Sequence, residues 1–472
     1  MKTTKLFFMA ALALTFGACS STDDNELPQQ PAKAEGIPFT ATISIGESAL
    51  TRALNDDGTN IVATWKDGEQ VALIYDTGGT PVKTEASVTK QTDGTATISA
   101  TLESGATDGS AVTIIYPASA ADGTTGNVKA DVLAAQDGTL TGTGGTSIAE
   151  NYDVRKGTGK LSISAGGATV NNGTAGTTVA LTNQNAIFKL TLKDIDGTND
   201  VSATSVVISD QTGVVTTVTP ASGYDNVMYV ALPTTATTLK FLVIGSGTKR
   251  YFNMASGLSL GTKFYPSTLK LATLGDVILS TGKCAKAGTS DAVAKITYLG
   301  NDAETNTTYK NGLALAFTDA GQIVTWCSQT SETCLTKQYN SSDVNTDMAG
   351  IANTDALVGH ATHTHAAASA ARNYNSGTHP TGTSDWFLPS AGQWEKMINA
   401  YGITNLTTNN NSDGYKGLLK NFNFWSSTER SAGYAARYDF YYEMFNSLQK
   451  NRHHYNSGDQ GDYMNVRACL AF

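Results

Sequence analysis

The sequence predicts a multidomain, mainly-β protein: two mainly-β sandwich domains followed by an α+β domain. Three observations carry this. Gly is abundant (46 of 472 residues) and Thr conspicuous through the first 280 positions, between short Val/Ile/Tyr runs, a composition of many short strands joined by turns. No long amphipathic helical pattern occurs before residue 272. From Gly275 the character changes: cysteines appear, Trp326, Trp386, Trp394 and Trp425 follow one another, and helical patterns emerge.

In chain order, Lys2 and Lys5 precede the apolar run Leu6 to Phe16 and then Phe16-Gly17-Ala18-Cys19. That is the three-part pattern of a secretory signal over 1–18, too short in its apolar part to span a bilayer. Small residues before Cys19 suit cleavage at the Ala18–Cys19 bond and acylation of the thiol. Phe16 stands where bacterial lipoproteins usually carry Leu, and an ordinary signal peptide with an incidental Cys is the competing reading. Residues 19–36, with Asp23, Asp24, Glu26, Pro28 and Pro31, read as a flexible tether.

The first sandwich is placed at 37–184. Ile37 to Ile45 alternates, with Phe39, Ile43 and Ile45 on one face and Thr40, Thr42 and Ser44 on the other, as a half-buried strand does. Leu50-Thr51-Arg52-Ala53 and the turn-rich Asn55-Asp56-Asp57-Gly58 follow. Strands are expected at Gln70–Tyr75, Ala96–Leu102 and Val112–Tyr116, separated by Asp-Gly and Gly-Gly turns. Between about 122 and 182 the chain reads as long loops and edge strands. The second sandwich, 185–274, restarts at Ala186–Leu192 and continues through Val206–Ser209, Val227–Leu232, Leu239–Gly245 and Phe264–Leu271. Each set of strands needs a facing sheet to bury its apolar side.

The third domain spans 275–472. Ser390 is an N-cap for a helix over Gln393–Tyr401, whose apolar face is Trp394, Met397 and Ile398. Asp347–Val358 and Ala366–Tyr374 also read as helices. With Cys19 assigned to lipid, Cys284, Cys327, Cys334 and Cys469 remain, and an even set in an exported chain predicts two disulfides. Three connectivities are open. The favoured one pairs Cys327 with Cys334 across a short loop and Cys284 with Cys469, first strand to last. C-x6-C is not a usual zinc spacing, so neither a metal nor any other cofactor is expected.

The net charge of −9 is spread along the chain without a basic block, which argues against nucleic acid or anionic lipid as partners. No apolar stretch after the signal is long enough to cross a membrane as a helix, leaving the lipid as the expected attachment.

Residues 1–272 resemble the fimbrillin-type (type V) pilins of Bacteroides-type bacteria. The resemblance rests on Cys19, Leu50-Thr51-Arg52-Ala53, Trp65-Lys66-Asp67-Gly68-Glu69 before Val71-Ala72-Leu73, the restart at Ala186–Leu192, and Gly261-Thr262-Lys263-Phe264-Tyr265. It implies transthyretin-like pilin sandwiches and export to the cell surface as an outer-membrane lipoprotein precursor. It also implies protease processing between Arg52 and Ala53 with loss of the 37–52 strand. A neighbouring subunit then fills the vacated groove by donor-strand exchange. The acidic tract after Cys19 resembles the export signal of surface lipoproteins in the same bacteria.

The last domain resembles C-type-lectin-like domains related to the formylglycine-generating-enzyme fold. Its marks are Asp385-Trp386-Phe387-Leu388-Pro389-Ser390, Trp394-Glu395, Phe424-Trp425-Ser426-Ser427-Thr428-Glu429 and Val466-Arg467-Ala468. Those blocks are structural, and Arg467 is expected to order the final strand. The chain lacks the Glu-Pro-Asn, Gln-Pro-Asp and Trp-Asn-Asp triplets of calcium-dependent sugar sites, and its cysteines do not match the catalytic pair, so catalysis does not carry over.

Two local groups remain. His360, His363 and His365 form H-x2-H-x-H, read as a polar loop. Tyr438, Phe440, Tyr441, Tyr442 and Phe445 precede a polar loop, and Tyr442, Arg452, His453, His454 and Tyr455 are the predicted ligand-binding residues, suited to stacking on a glycan or protein surface. Asp459, Asp462 and Asn465 are a minor calcium candidate. The leading expectation is a non-enzymatic fimbrial subunit, a tip adhesin. The alternatives are a lipid-anchored surface lipoprotein that binds glycan without polymerising, and a carbohydrate-active or modifying enzyme.

Overall fold

The computed structural model describes residues 36–45, 55–56, 61–62, 65–129, 133, 135–141, 147–173, 176–254, 260, 264–409, 414–419, 422–452 and 464–472. Cys19, Arg52, Ala53, His453, His454 and Tyr455 lie outside them. The chain is mostly β-sheet with few helices.

The first unit comprises β1 (Ile37–Ile45), β2 (Asn55–Asp56), β3 (Ile61–Val62), β4 (Gln70–Thr77), β5 (Thr80–Lys90), β6 (Ala96–Leu102) and β7 (Ala111–Tyr116). After β8 (Ala135–Gln136) it is completed by β9 (Arg155–Ser164), β10 (Gly167–Asn171) and β11 (Thr178–Asn183). The ladder runs β1-β11-β9-β7-β4-β5-β6 and returns to β1, so it closes on itself, with β10 flanking β1 and β9. Closure encloses Val71, Leu73, Tyr75, Ile98, Val112 and Ile114, and Trp65 seals one end against Tyr116 at 5.4 Å. The Gly78-Gly79 turn, with φ of 62° and 93°, supplies the two left-handed positions that let β4 fold tightly onto β5. At Gly159 a Cβ would stand 2.4 Å from Val170 Cγ1, so only glycine lets β9 approach β10 so closely.

The second unit is two facing sheets. β12 (Asn185–Asp194) lies between β15 (Val227–Pro233) and β18 (Phe264–Leu271). Against it lie β17 (Lys249–Met254), β16 (Leu239–Ile244), β13 (Ser205–Ser209) and β14 (Val214–Val218), with β8 at the edge. Phe188, Leu190, Ile208, Phe241 and Leu269 fill the space between. The described residues between 133 and 152 thus reach into this unit. β8 pairs with β14, Gln136 exchanges hydrogen bonds with the Ala231 backbone (2.8 and 2.9 Å), and Leu140, Ile148 and Tyr152 cover Ile187 and Tyr229. Their Gly/Thr composition hides this role, because the few apolar residues are spaced irregularly.

The third unit carries the five-stranded sheet β20 (Cys284–Ala285), β19 (Val277–Leu279), β21 (Ala292–Leu299), β22 (Gly312–Ala316) and β27 (Cys469–Ala471). A second sheet holds β25 (Met444–Gln449), β24 (Tyr434–Asp439), β23 (Asn423–Ser431) and β26 (Met464–Asn465). The helices are α1 (Gly350–Val358), α2 (Ala366–Arg372), α3 (Ala391–Tyr401) and α4 (Ile403–Thr407). Ser390 caps α3 in a capping box with Gln393 and buries Trp394 and Met397 as the sequence predicts. All four tryptophans of the unit are buried, and Arg467 binds Asp319 (2.8 Å) and the carbonyls of Ala316 and Lys416. The unit abuts the second one, where Tyr251 packs on Phe472 at 4.4 Å and Lys240 donates to the Thr308 carbonyl at 2.7 Å.

Candidate functional site

The closing strand of the first unit is the most consequential feature. β1 pairs antiparallel with β6 from Ile37↔Leu102 to Ile43↔Ala96, and parallel with β11 from Thr42↔Thr178 to Ile45↔Leu181. A third contact, Phe39↔Ala168, joins it to β10. Phe39, Ala41 and Ile43 are buried while Thr40 faces out, the alternation read from the sequence. Ile45, expected on the inner face, is half-buried at the strand's end. β1 therefore behaves as a separable stave: local in sequence, bonded on both edges, with its apolar teeth in the core. Burial of Phe39 and Ile43 stabilises the unit by about 1.5–3 kcal/mol each. Withdrawal would open the ladder and leave a groove with free edges on β6 and β11.

Beyond β1, Asp56 is tied to the second unit. Its carboxylate accepts from Tyr229 Oη at 2.6 Å and forms an ion pair with Lys189. Burial, reinforced by Asp56, raises the Tyr229 phenol well above its ordinary pKa, so it remains a hydrogen-bond donor.

The aromatic group of the third unit divides between core and surface. Tyr438 meets Phe440 and Phe445 edge-to-face at 4.8 and 5.0 Å in the core region, with Phe445 only partly buried. Tyr441 and Tyr442 meet edge-on at 4.7 Å on a turn whose backbone N–H groups donate to Asp439, and Tyr442 is 68% exposed. Arg452 is exposed and donates to Gln449 at 2.9 Å. Of the five predicted ligand residues, Tyr442 and Arg452 are thus on the surface. For the calcium candidate, Asn465 is buried in β26, and Asp459 and Asp462 lie outside the described residues.

The four described cysteines carry no disulfide bond, and one of the two expected pairings, Cys284 with Cys469, is corrected by the sheet order. Cys284 and Cys469 sit on opposite edge strands of the five-stranded sheet, with β19, β21 and β22 between them. At about 4.8 Å per strand their separation far exceeds the reach of a disulfide. Cys327 and Cys334 are close, but their sulfurs are 4.0 Å apart and unbonded.

A third group joins that pair. His365 Nε2 lies 4.0 Å from Cys327 Sγ, and the three donor atoms all lie within 4.8 Å of one another. His365 is 1% exposed, and burial, helped by His360, Lys450 and His363, holds its imidazole down at about 4, so it is neutral near pH 7. Burial pushes the Cys334 thiol up to about 12 although Lys450 works to lower it. Lys450 Nζ donates to Cys334 Sγ at 3.6 Å and pairs with Glu429, both fully buried. Glu429 in turn accepts from the Cys334 and Leu335 N–H groups, each at 2.7 Å. Sequence spacing alone missed this meeting. The only signals were C-x6-C and H-x2-H-x-H, neither sufficient without the fold that brings them together.

No family model matches the sequence, and no curated relative matches it. Solved structures show weak likeness. A fimbrial protein from Bacteroides ovatus is 13% identical with a TM-score of 0.31, over 93% of this chain and 99% of that one. The tip fimbrial protein Mfa3 from Porphyromonas gingivalis, with C-terminal truncation, is 10% identical with a TM-score of 0.24, over 47% of this chain and 82% of that one. Scores this low leave function to be argued from the chain itself.

Proposed function

We propose that this chain is a cell-surface fimbrial subunit that gives up β1 and accepts a donor strand from a neighbouring subunit in its place. The observation that supports it is β1 itself, a strand that closes the ladder from between two edges and comes before the Arg52–Ala53 bond expected to be cut. A foreign strand that satisfies the β6 and β11 edges and refills the Phe39 and Ile43 pockets restores the same contacts, the physics of strand addition. Lipidation at Cys19 carries the precursor to the outer membrane, and cleavage at Arg52 releases it for assembly.

In this reading the subunit sits at the tip. The strand that ends the second unit, β18, is held beside β12 and leads directly into the third unit, and β27 is fixed on β22. Neither is free to be donated. The third unit then presents the exposed Tyr441–Tyr442 turn and Arg452 to a glycan or protein ligand. That exposed aromatic turn equally serves the second reading, a lipid-anchored lipoprotein that binds glycan without polymerising.

The test is the N-terminus of the protein on cells and in sheared surface fibres. Ala53 at the N-terminus of the fibre material is expected. Lipidated Cys19 in all material would overturn polymerisation and leave the anchored lipoprotein.

A further inference from the structure

We infer that Cys327, Cys334 and His365 form a structural zinc(II) site that fastens the long loop of the third unit. Between β22 and the short helical turn at Val344, residues 317–343 contain no strand or helix. A segment of that length is uncommon inside a compact unit, and this one is held by backbone hydrogen bonds to residues such as Met464 and Lys450. Cys327 and Cys334 both lie in it, whereas His365 stands at the start of α2, so an ion shared by the three joins the loop to the helix layer.

The geometry fits a tetrahedral centre. Zn–S bonds of about 2.3 Å and Zn–N bonds of about 2.0–2.1 Å set the S···S edge near ~3.8 Å and the S···N edge near ~3.5 Å. The observed Cys327–Cys334 and Cys327–His365 separations are each 4.0 Å and the third edge lies within 4.8 Å, so two edges need to contract by a few tenths of an ångström and the third by up to about 1.3 Å to close the site. Two thiolates and one neutral imidazole are a donor set of the softness zinc favours, and two thiolates neutralise its charge. A disulfide would use only the sulfurs. It would leave His365 nearly enclosed, with Nδ1 already lacking a hydrogen-bond partner and Nε2 facing a sulfur no longer able to donate. The surroundings position the ligands: Lys450 donates to Cys334 Sγ, while Glu429 grips the Cys334 and Leu335 backbone. The His360 ring lies 5.2 Å from that of His365 and has a buried unpartnered Nδ1.

Binding exchanges two thiol protons for the ion, with no change of oxidation state. The experiment uses the untagged full chain, reduced and stripped of metal, titrated with zinc(II) and, separately, cobalt(II). One equivalent of zinc is expected, together with sulfur-to-cobalt charge transfer and the visible bands of a tetrahedral cobalt thiolate site. Cys327→Ser and Cys334→Ser lose the charge-transfer band, Lys450→Met weakens zinc binding by about 10–100-fold, and Cys284→Ser changes nothing. The cobalt spectrum of the unaltered chain decides the matter even if a variant fails to fold. Absence of stoichiometric binding by the reduced, folded chain would overturn the site. So would recovery from cells of protein uniformly cross-linked between Cys327 and Cys334.

Discussion

Ile43 offers the sharpest test of β1 as an exchangeable strand. It is fully buried, and replacing a buried Ile by Ala costs about 2–5 kcal/mol through lost transfer energy and the cavity left behind. In the intact chain that loss appears as reduced stability. Once β1 is severed, the same contacts become binding energy between strand and groove, and each 1.4 kcal/mol is a factor of ten. Ile43→Ala should therefore weaken retention of the severed strand by about 30-fold to several thousand-fold. Thr40→Ala, on the exposed side of the same strand, should change it little. A sequence-specific protease site substituted across residues 47–52 allows a single cut, after which a fluorescent peptide of the β1 sequence competes for the groove. Release of the native strand is followed by mass and peptide uptake by anisotropy. Equal effects from Ile43→Ala and Thr40→Ala would refute the reasoning, because the inward face would then not be what holds the strand. A cut protein that loses β1 yet takes up no peptide would refute strand acceptance directly.

Four further outcomes are expected. Breaking the buried Lys450–Glu429 pair by Glu429→Gln leaves a buried ammonium and should cost about 3–5 kcal/mol in urea unfolding, with Glu429→Gln/Lys450→Met recovering part of it; a change under about 0.5 kcal/mol would contradict the pairing. Lys240, held by burial at about 8 against an ordinary 10.5, is protonated in the unfolded chain but not in the folded one between those values. The unfolded state binds the extra proton there, so stability from this group rises with pH across 8–10.5 and is penalised below 8. The stability difference between wild type and Lys240→Met should accordingly move by about 3 kcal/mol in favour of the wild type from pH 7 to pH 10.5, and a flat difference would exclude a buried ammonium. Asp56→Asn should cost about 2 kcal/mol of local stability at β2, read as faster amide exchange at residues 55–56 with exchange of β4 unchanged. The Tyr441→Ala/Tyr442→Ala double variant should unfold within about 0.5 kcal/mol of wild type while losing adherence to cells or glycan-coated surfaces; unchanged adherence would place the adhesive face elsewhere.

The parts of the fold legible in the sequence are those whose apolar residues alternate without interruption. β1, β6 and β18 begin and end where their patterns do. β12 extends its pattern by a residue or two at each end, and α3 starts at its Ser390 cap. β5 escaped because only Ala86 and Val88 are buried along it; the rest is a hydrophilic ribbon held by backbone pairing to β4 and β6. The β9–β11 set escaped for a related reason. Gly157 and Gly159 occupy inward-crowded positions where a pattern would show apolar side chains. At the sites, long-range proximity was the missing quantity. Nothing in spacing tells that Asp56 reaches Tyr229, or that a cysteine pair meets a histidine from another segment. The expected Cys284–Cys469 pairing failed on the same point, since the first and last strands of this unit lie at opposite edges of its sheet.

Losing β1 is tolerable only if the rest of the chain does not depend on it for its position, and the connections between units satisfy this. The Asp56 carboxylate anchors β2 to Lys189 and Tyr229 of the second unit, so a cut at Arg52 frees the strand before it and leaves the segment after it tied down. On the far side, β8 and the residues around Leu140 and Tyr152 belong to the packing of the second unit although the chain returns to the first at β9. Two crossings of this kind bind the opened ladder to an intact sandwich. The second unit buries its own core between two sheets with no contribution from β1. If β1 leaves, as the proposed function requires, these ties would confine the opening to the first unit. The third unit is joined to the second through Tyr251, Lys240 and Asn253, on the sheet that faces the one holding Lys189 and Tyr229. On the proposed function, strand acceptance and adhesion would thus fall in units that the middle sandwich holds apart.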